Sequence, residues 1–350
     1  MKKKVSLKDV AQHLGVSTAL VSYVVNNKEK QVRVSEEMAK KIRKAIIELN
    51  YQPNLIAKSL KNGVTNTIGL IIADISNPFF SNIARIIEDE AKKLGYIVII
   101  GSCDENAEKS QALIDVMMTR QVDAFIVSPA ADTEKQIEAL KNMQVPVVLI
   151  DRHFPDVETD TVYTDNYTAS YKAVEHLIGN GRKKIAMMAY DTTLPHMKER
   201  IRGYQEALRD NGIEFQPSWL KLASYQQISD DVDKGIQMLL KPSPKVDAFF
   251  FATNSLAVEG LKTITRLKVI VPKQLAFISF DESDAFSFFY SPVTYVKQSV
   301  TDIGIEAVRA AVNRIRDRMA KPARILVPAK LIVHESCGSK KVSRELRSSL

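Results

Sequence analysis

Polar side chains follow several short apolar stretches of this 350-residue chain, and their types suit hydrogen bonding to a small polar molecule. Asp151, Asp281 and Gln298 each stand at the end of such a stretch, and Arg200 follows another near the start of a predicted helix. A carboxylate accepts hydrogen bonds, an amide both donates and accepts, and a guanidinium presents a planar fork of donors. Groups of these kinds recognise the hydroxyls of a polyol.

Aromatic residues accompany these polar groups. The first apolar stretch leads into Asp74, and a turn then places Phe79 and Phe80 at the start of a helix that Pro78 opens. The C–H face of a sugar ring stacks on aromatic faces of this kind. Two further apolar stretches end in polar pairs, at 165–166 and 253–254. The sequence therefore predicts a pocket for a sugar-like compound.

These residues do not form a recognisable catalytic motif. The sequence contains no G-x-x-x-x-G-K-[ST], no G-x-G-x-x-G and no H-E-x-x-H, and no Ser or Cys stands in a nucleophile elbow. The five histidines are not paired at metal-ligand spacing, and Cys103 and Cys337 fit no metal motif. We therefore expect no enzyme activity, no metal and no cofactor, and we interpret both cysteines as reduced thiols.

Strands and helices in alternation must position the polar residues. Seven runs rich in β-branched and aromatic residues, between 68 and 281, alternate with helical patterns. Runs this apolar indicate strands of parallel sheets that helices cover on both faces. We expect an α/β core of two doubly wound subdomains. Because ligands in such folds bind beyond the carboxyl ends of the strands, the polar residues would surround one cleft, which hinge closure can seal.

A different pattern precedes this core. The spacing of apolar residues predicts helices over 7–14 and from about 18, joined by Gly15-Val16-Ser17, and a third helix from about 35 to 49. A serine precedes each of the first two helices and can cap it. Two short helices with this connection are typical of a helix-turn-helix, whose second helix lies in the major groove of DNA.

The net charge of the chain is concentrated in this amino-terminal segment. Residues 1–62 contain 13 Lys and Arg against 5 Asp and Glu, whereas the rest of the chain is neutral overall. The polar face of the second helix could be an ordinary solvated surface. The charge surplus favours a surface that binds the phosphates of a nucleic acid.

The sequence contains no apolar run of about 18 residues. Its basic amino terminus is followed by an amphipathic helix rather than by the apolar core of a signal peptide. We therefore expect a cytoplasmic protein with no membrane association.

Three motifs in this order resemble the lactose-repressor (LacI/GalR-type) family of bacterial transcriptional regulators. They are LKDVAQHLGVSTALVSYVVN, VSEEMAKKIRKAIIELNYQPNLIAKSL and IGLIIADISNPFF, and the similarity extends to about Glu335. The resemblance implies an N-terminal three-helix helix-turn-helix headpiece and a two-subdomain, periplasmic-binding-protein-like core. It also implies a sequence-specific DNA-binding regulator, and we expect a repressor. Its affinity for operator DNA would be controlled by a small sugar or sugar-derived effector.

The resemblance also assigns residues to both sites. Leu60 matches the apolar wedge that opens a base step in the minor groove, although it could instead pack on the core. We expect DNA contacts from Ser6, Thr18, Ala19, Ser22, Tyr23, Asn26, Ala57 and Leu60. We expect effector contacts from Phe79, Phe80, Asp151, Asp165, Arg200, Tyr225, Asn254, Asp281 and Gln298. Each effector residue could instead be a helix cap, a surface ion pair or part of the core.

The same resemblance divides the chain and names its partners. We expect a headpiece at 1–50, a hinge helix and linker at 51–63, a core N-subdomain at 64–162 plus 292–326, a core C-subdomain at 163–291 plus 327–337, and a basic, disordered tail at 338–350. The expected partners are double-stranded palindromic operator DNA, a small-molecule effector and a second copy of the chain in a homodimer.

Two departures from the family pattern concern the sites. Tyr23 stands where many relatives have an arginine that reads guanine, which leaves the operator sequence open. Thr253-Asn254 stands where relatives have Asn-Asp, so the polar groups of the cleft differ. The alternative functions are a sugar-binding transport protein and an α/β sugar-modifying enzyme. The headpiece argues against the first, and the missing catalytic motifs argue against the second.

Overall fold

The computed structural model describes residues 5–52, 63–241 and 246–339. The chain forms two compact units, of which the first extends to Thr65 and the second begins at Asn66. The predicted hinge helix, with Ala57 and Leu60, lies outside the described residues, as does the tail from residue 340.

The described part of the first unit contains three helices, as predicted for the headpiece: α1 Leu7–Leu14, α2 Thr18–Val25 and α3 Glu36–Glu48. Ser6 and Asp9 form a capping box at the start of α1, which satisfies two backbone N–H groups that the helix leaves free. Gly15 ends α1 in the left-handed conformation, with φ of 65°. The inner faces of the three helices close a small apolar core around Val10, Val21 and Ile42.

The second unit contains two six-stranded sheets whose strands follow the same order. The strands of the first sheet are β1 Thr67–Ile72, β2 Ile97–Ser102, β3 Ala124–Val127, β4 Val147–Ile150, β5 Asp160–Thr164 and β11 Arg324–Val327, in the order β11-β5-β4-β3-β1-β2. The strands of the second are β6 Ile185–Tyr190, β7 Leu220–Ala223, β8 Ala248–Phe251, β9 Ala276–Phe280, β10 Thr294–Gln298 and β12 Ala329–Ile332, in the order β12-β10-β9-β8-β6-β7. All strand pairs are parallel except β10 with β12.

Helices cover both sheets. Around the first sheet lie α4 Pro78–Lys93, α5 Ala107–Thr119, α6 Glu134–Asn142 and α11 Val300–Arg316, and around the second lie α7 Asn166–Gly179, α8 Pro195–Asp210, α9 Ile228–Leu239 and α10 Asn254–Arg266. We call each sheet with its helices the first half and the second half of the core. Because helices pack on both faces, the central strands β3, β4, β8 and β9 are buried at every residue.

The sequence predicts the central strands and misses three short ones. Strands β7, β11 and β12 lie at sheet edges, where partly exposed residues break the apolar run that marks a buried strand.

The strand pairing differs from the predicted division of the core at two crossings. The prediction assigned 292–326 to the N-subdomain, but β10 pairs with β9 and β12, so Thr294–Gln298 belongs to the second half. The predicted boundary at residue 162 falls within β5, whose whole length pairs in the first sheet. Backbone hydrogen bonding sets these crossings, and a family-based boundary carries no information on strand register.

The contact between α7 and α8 depends on a residue without a side chain. A Cβ atom at Gly203 in α8 would lie 2.5 Å from the carbonyl oxygen of Tyr167 in α7. Gly203→Ala should therefore destabilise the second half by about 1–3 kcal/mol, because the two helices must separate. The measurement is urea unfolding followed by the fluorescence of Trp219, the only tryptophan of the chain.

Gly179→Ala is the matched control, since a Cβ atom there would meet nothing within 4 Å. It should leave the stability unchanged or raise it by less than about 1 kcal/mol through helix propensity. Equal effects of the two substitutions would contradict the close packing at Gly203.

Candidate functional site

The carboxyl ends of the strands of both halves surround a cavity of about 60 Å³, which shares lining residues such as Tyr190 and Tyr225 with a wider mouth of about 490 Å³. The first half contributes Asp74, Asn77, Phe79, Phe80, Glu105, Asp151 and Arg152 to the cavity. The second half contributes Tyr190, His196, Arg200, Tyr225, Thr253, Ser255, Asp281 and Gln298. This location follows the rule that ligands of parallel sheets bind beyond the carboxyl ends of the strands.

Asp151 lies directly after β4, with φ of 62° and with only 3% of its surface exposed. Its Oδ2 atom lies 3.5 Å from the Nε atom of Arg152, and its Oδ1 atom has no hydrogen-bond partner among the described residues. Burial raises the pKa of this carboxyl group, and the guanidinium groups of Arg152 and Arg200 oppose that shift. A buried carboxylate oxygen without a partner is what a donor on a ligand would satisfy.

Arg152 joins the two halves. Its Nη1 and Nη2 atoms each donate to one carboxylate oxygen of Glu105 at 2.7 Å, which makes a bidentate ion pair. Nη2 also donates to the hydroxyl oxygen of Tyr225, in the second half, at 3.5 Å. Glu105 stands three residues beyond the end of β2, so the position of the strand end does not predict it as a site residue.

Arg200 is the most enclosed charged residue of the cavity, with 2% of its surface exposed. Its Nε atom donates to Asn166 Oδ1 at 2.8 Å, and its Nη1 atom donates to the carbonyl oxygen of Ala252 at 2.7 Å. The guanidinium carbon lies 3.5 Å from the ring centroid of Phe280, and Nη1 lies 3.8 Å from Asp281 Oδ2. The helix α8 thereby fixes the group against the ends of β8 and β9.

Asp281 links this arginine to the first half through Gln298. Gln298 Nε2 donates to Asp281 Oδ1 at 2.7 Å, and Gln298 Oε1 accepts from the hydroxyl of Thr164 at the end of β5. Burial raises the pKa of Asp281 to about 6, and Arg200 and Gln298 oppose that shift by stabilising the anion. A hydrogen-bonded chain therefore runs from the first sheet to the second at the back of the cleft.

Aromatic rings form the apolar surface of the site. Phe79 and Phe80, at the start of α4, meet edge to face with their ring centroids 5.0 Å apart. The rings of Tyr190 and Tyr225 stack at 4.0 Å and line both the cavity and its mouth. Burial raises the pKa of Tyr225 to about 12, so its hydroxyl group stays protonated at neutral pH.

Two of the nine predicted effector residues do not line the inner cavity. The carboxylate of Asp165 accepts from the backbone N–H of Thr168 and caps α7, so the prediction that Asp165 faces the cleft does not match its position. Asn254 lies at the mouth, where its amide donates to Asn77 Oδ1 across the cleft at 3.2 Å. The other seven predicted residues line the cavity.

Sequence reasoning missed Tyr190 and His196. Tyr190 ends β6, so the strand-end rule could have found it. His196 is the second residue of α8 and is 4% exposed, and its Nδ1 atom has no partner among the described residues. Burial, together with the nearby guanidinium groups of Arg152 and Arg200, holds its pKa well below the usual range. The imidazole is therefore neutral at pH 7.

The headpiece presents part of the predicted DNA-contact set. Thr18, Ala19 and Tyr23 are exposed on α2. The hydroxyl of Ser6 donates to Asp9 within the capping box at 2.6 Å, and the amide of Asn26 donates to the carbonyl oxygen of Ser22 at 2.8 Å. These internal bonds compete with any base contact that Ser6 or Asn26 makes.

Membrane-spanning helices are not found in the part of the chain that the structure describes, because none of its helices is both long and apolar enough.

Both units match models of known protein families. Residues 6–54 match the model of bacterial regulatory proteins of the lacI family, and residues 65–335 match the model of periplasmic binding proteins and the sugar-binding domain of the LacI family. The transcriptional repressor CytR of Escherichia coli K12 is 31% identical over 332 residues, which cover 95% of this chain and 96% of CytR. The repressor PurR of Pasteurella multocida is 28% identical and covers 96% of this chain and 99% of its own.

Solved structures agree with these matches. A complex of the transcriptional regulator CelR with cellobiose has 25% identity and a TM-score of 0.71, covering 95% of this chain and 100% of its own. The lac repressor dimer bound to operator and an anti-inducer has 22% identity and a TM-score of 0.84, covering 96% and 99%, which shows the shared fold. Because these matches agree with the helix-turn-helix and the paired parallel sheets, the chain belongs to the LacI family of bacterial regulatory proteins.

Proposed function

We propose that this protein is a cytoplasmic transcriptional repressor that binds palindromic operator DNA as a homodimer and responds to a sugar-like effector in the cleft. The observation that carries the proposal is the presence, in one chain, of a basic helix-turn-helix and of a cleft with unpartnered buried polar groups from both halves. A transport protein would not need the helix-turn-helix, and the described residues contain no cluster of His, Cys, Asp and Glu that could hold a metal ion.

The effector acts by favouring one arrangement of the two halves. The hydrogen bonds across the cleft include those of Arg152 with Tyr225, of Thr164 with Gln298, and of Asn77 with Asn254 and Ser255. A ligand that inserts among these groups changes the free-energy difference between open and closed arrangements only by its differential affinity for them. A changed arrangement in both protomers alters the spacing of the headpieces, which must match the half-site spacing of the operator.

The exposed apolar residues support self-association. Ile97 and Ile100 on β2 are 65% and 42% exposed, and Leu222 on β7 is 48% exposed. β2 and β7 are the corresponding edge strands of the two sheets. Because an exposed apolar edge strand is a template for pairing with another chain, we assign both edges to the interface with a second copy.

Tyr23 is our candidate for reading bases. Tyr23→Ala should weaken binding to an operator selected from random palindromes by about 5- to 150-fold, the range for one good base contact. Binding to non-specific duplex should change little, because that binding depends on phosphate contacts. Gel retardation at fixed salt measures both affinities.

Ile47→Ala is the control, since Ile47 is exposed on α3 and cannot donate a hydrogen bond to DNA. Equal losses for specific and non-specific DNA in Tyr23→Ala would refute the base-reading role.

The dimer proposal is tested at β2. Ile97→Lys places a charge on the exposed edge and should convert dimers into monomers, which sedimentation equilibrium detects as half the mass. Met143→Lys, at an exposed position after α6, is the control and should keep the mass of the wild type. An unchanged mass in Ile97→Lys would argue against an interface at this edge.

Asp281 should make stability depend on pH. Because its pKa rises from about 3.8 in the unfolded chain to about 6 in the fold, the folded state retains a proton that the unfolded state releases. The contribution of this group to the free energy of unfolding is therefore full below pH 4 and falls as the pH rises to about 6. Asp281→Asn cannot ionise, so its stability relative to the wild type should increase over this interval by up to about 3 kcal/mol.

Urea unfolding of both proteins between pH 4 and pH 7 measures this difference. Glu282→Gln changes the neighbouring, more exposed carboxyl group and is the matched control. Parallel pH profiles for Asp281→Asn and the wild type would show that Asp281 does not titrate in this range.

A further inference from the structure

Three buried polar atoms at the inner end of the cavity have no hydrogen-bond partner among the described residues: Asp151 Oδ1, Arg152 Nε and His196 Nδ1. The three residues are between 3% and 4% exposed. Buried polar atoms are almost always paired, because an unpaired one keeps its full desolvation cost. Three of them around one cavity indicate that a ligand supplies the missing partners.

The hydrogen-bonding roles of these atoms restrict the ligand. An ionised carboxylate oxygen can only accept a hydrogen bond, and the Nε–H group of an arginine can only donate one. The Nδ1 atom of a neutral histidine does one or the other, according to its tautomer. A hydroxyl group both donates and accepts, so hydroxyls can satisfy Asp151 and Arg152 together. A phosphate dianion or a carboxylate cannot donate to Asp151, and an ammonium group cannot accept from Arg152.

The charges around the cavity also disfavour an anionic ligand. Four carboxyl groups line it, from Asp74, Glu105, Asp151 and Asp281, against the two guanidinium groups of Arg152 and Arg200. Arg152 is already paired with Glu105 through two hydrogen bonds of 2.7 Å. Arg200 already donates to Asn166 and Ala252, and its Nη1 atom lies 3.8 Å from Asp281. An additional anion would thus enter a cavity whose cations are engaged and whose carboxylates outnumber them.

We infer that the effector is an uncharged polyhydroxy compound, with hydroxyl groups that donate to Asp151 and accept from Arg152, and that the cleft rejects phosphorylated and acidic sugars. The inference rests on the proposed function and names the chemical class of the effector. The compound extends from the inner cavity of about 60 Å³ towards the solvent. Its outer part lies in the mouth of about 490 Å³, beside Tyr190, Tyr225, Ile228 and Val258.

The first arm of the test needs no ligand. Asp151→Asn keeps the shape of the side chain and removes a buried charge whose desolvation outweighs its attraction to Arg152 and Arg200, so the ligand-free full chain should melt about 2–4 °C higher at neutral pH. Asp165→Asn is the matched control, because Asp165 caps α7 outside the cavity and an asparagine caps equally well. A lower melting temperature for Asp151→Asn than for the wild type would overturn the inference.

The second arm is calorimetric titration of the full chain with matched probes: glucose, ribose and cellobiose, then glucose 6-phosphate, ribose 5-phosphate, glucuronate, glucosamine and inorganic phosphate. We expect a neutral sugar to bind, and its charged analogues to bind at least about tenfold more weakly, the ratio that 1.4 kcal/mol produces. Asp151→Asn should weaken the neutral binder at least about tenfold, and Asp165→Asn should leave it unchanged. A charged probe that binds as tightly as its neutral parent, or the failure of every neutral probe to bind, would overturn the inference.

Operator binding by the same preparation separates this inference from the proposed function. A chain that discriminates among the sugars as expected but retains no preferred duplex would refute the regulator and leave the ligand class intact. A chain that binds its selected operator and responds to a sugar phosphate would refute the ligand class and leave the regulator intact.

Discussion

The buried guanidinium group of Arg200 is the interaction on which the cleft depends. A charge with 2% exposure is tolerated only where hydrogen bonds and opposite charge replace its hydration. Here Asn166, the carbonyl oxygen of Ala252 and Asp281 do so, and the ring of Phe280 supports the group from one face. Because these partners come from α7, the end of β8 and the end of β9, satisfying one charge fixes three elements relative to α8. Removing any one partner would leave a buried charge under-solvated.

Because the strand order of the two sheets matches, both halves contribute residues from equivalent positions to the cleft. Asp151 follows β4 and Asp281 follows β9, and these strands occupy the same position in their sheets. Both residues have positive φ, at 62° and 68°, a conformation that aspartate tolerates better than most residues. The two halves therefore present carboxyl groups from equivalent places, and each is held near an arginine by buried contacts.

The polar contacts across the cleft are also the means by which a ligand can act at a distance. Thr164, Gln298 and Asp281 connect the first sheet to Arg200, and Glu105, Arg152 and Tyr225 connect the halves nearer the mouth. In a protein interior such contacts are made or lost in discrete arrangements, since close-packed elements do not deform continuously. A ligand that hydrogen-bonds to both Asp151 and Arg152 would stabilise one arrangement. The chain crosses between the halves after β5, β10 and β11, so these segments would act as the hinge.

The amino-acid sequence by itself determined the elements and the kinds of groups at their ends. Helix periodicity and serine caps predict α1 to α3, apolar runs predict the central strands, and strand ends predict Asp151, Asp281 and Gln298, because these signals are local. Tertiary structure alone decided the partners. It placed β10 in the second sheet, turned Asp165 into a helix cap, brought Glu105 to Arg152, and buried His196 beside two arginines. Pairing and burial depend on residues far apart in the chain, so no local pattern encodes which polar atoms are satisfied and which await a ligand.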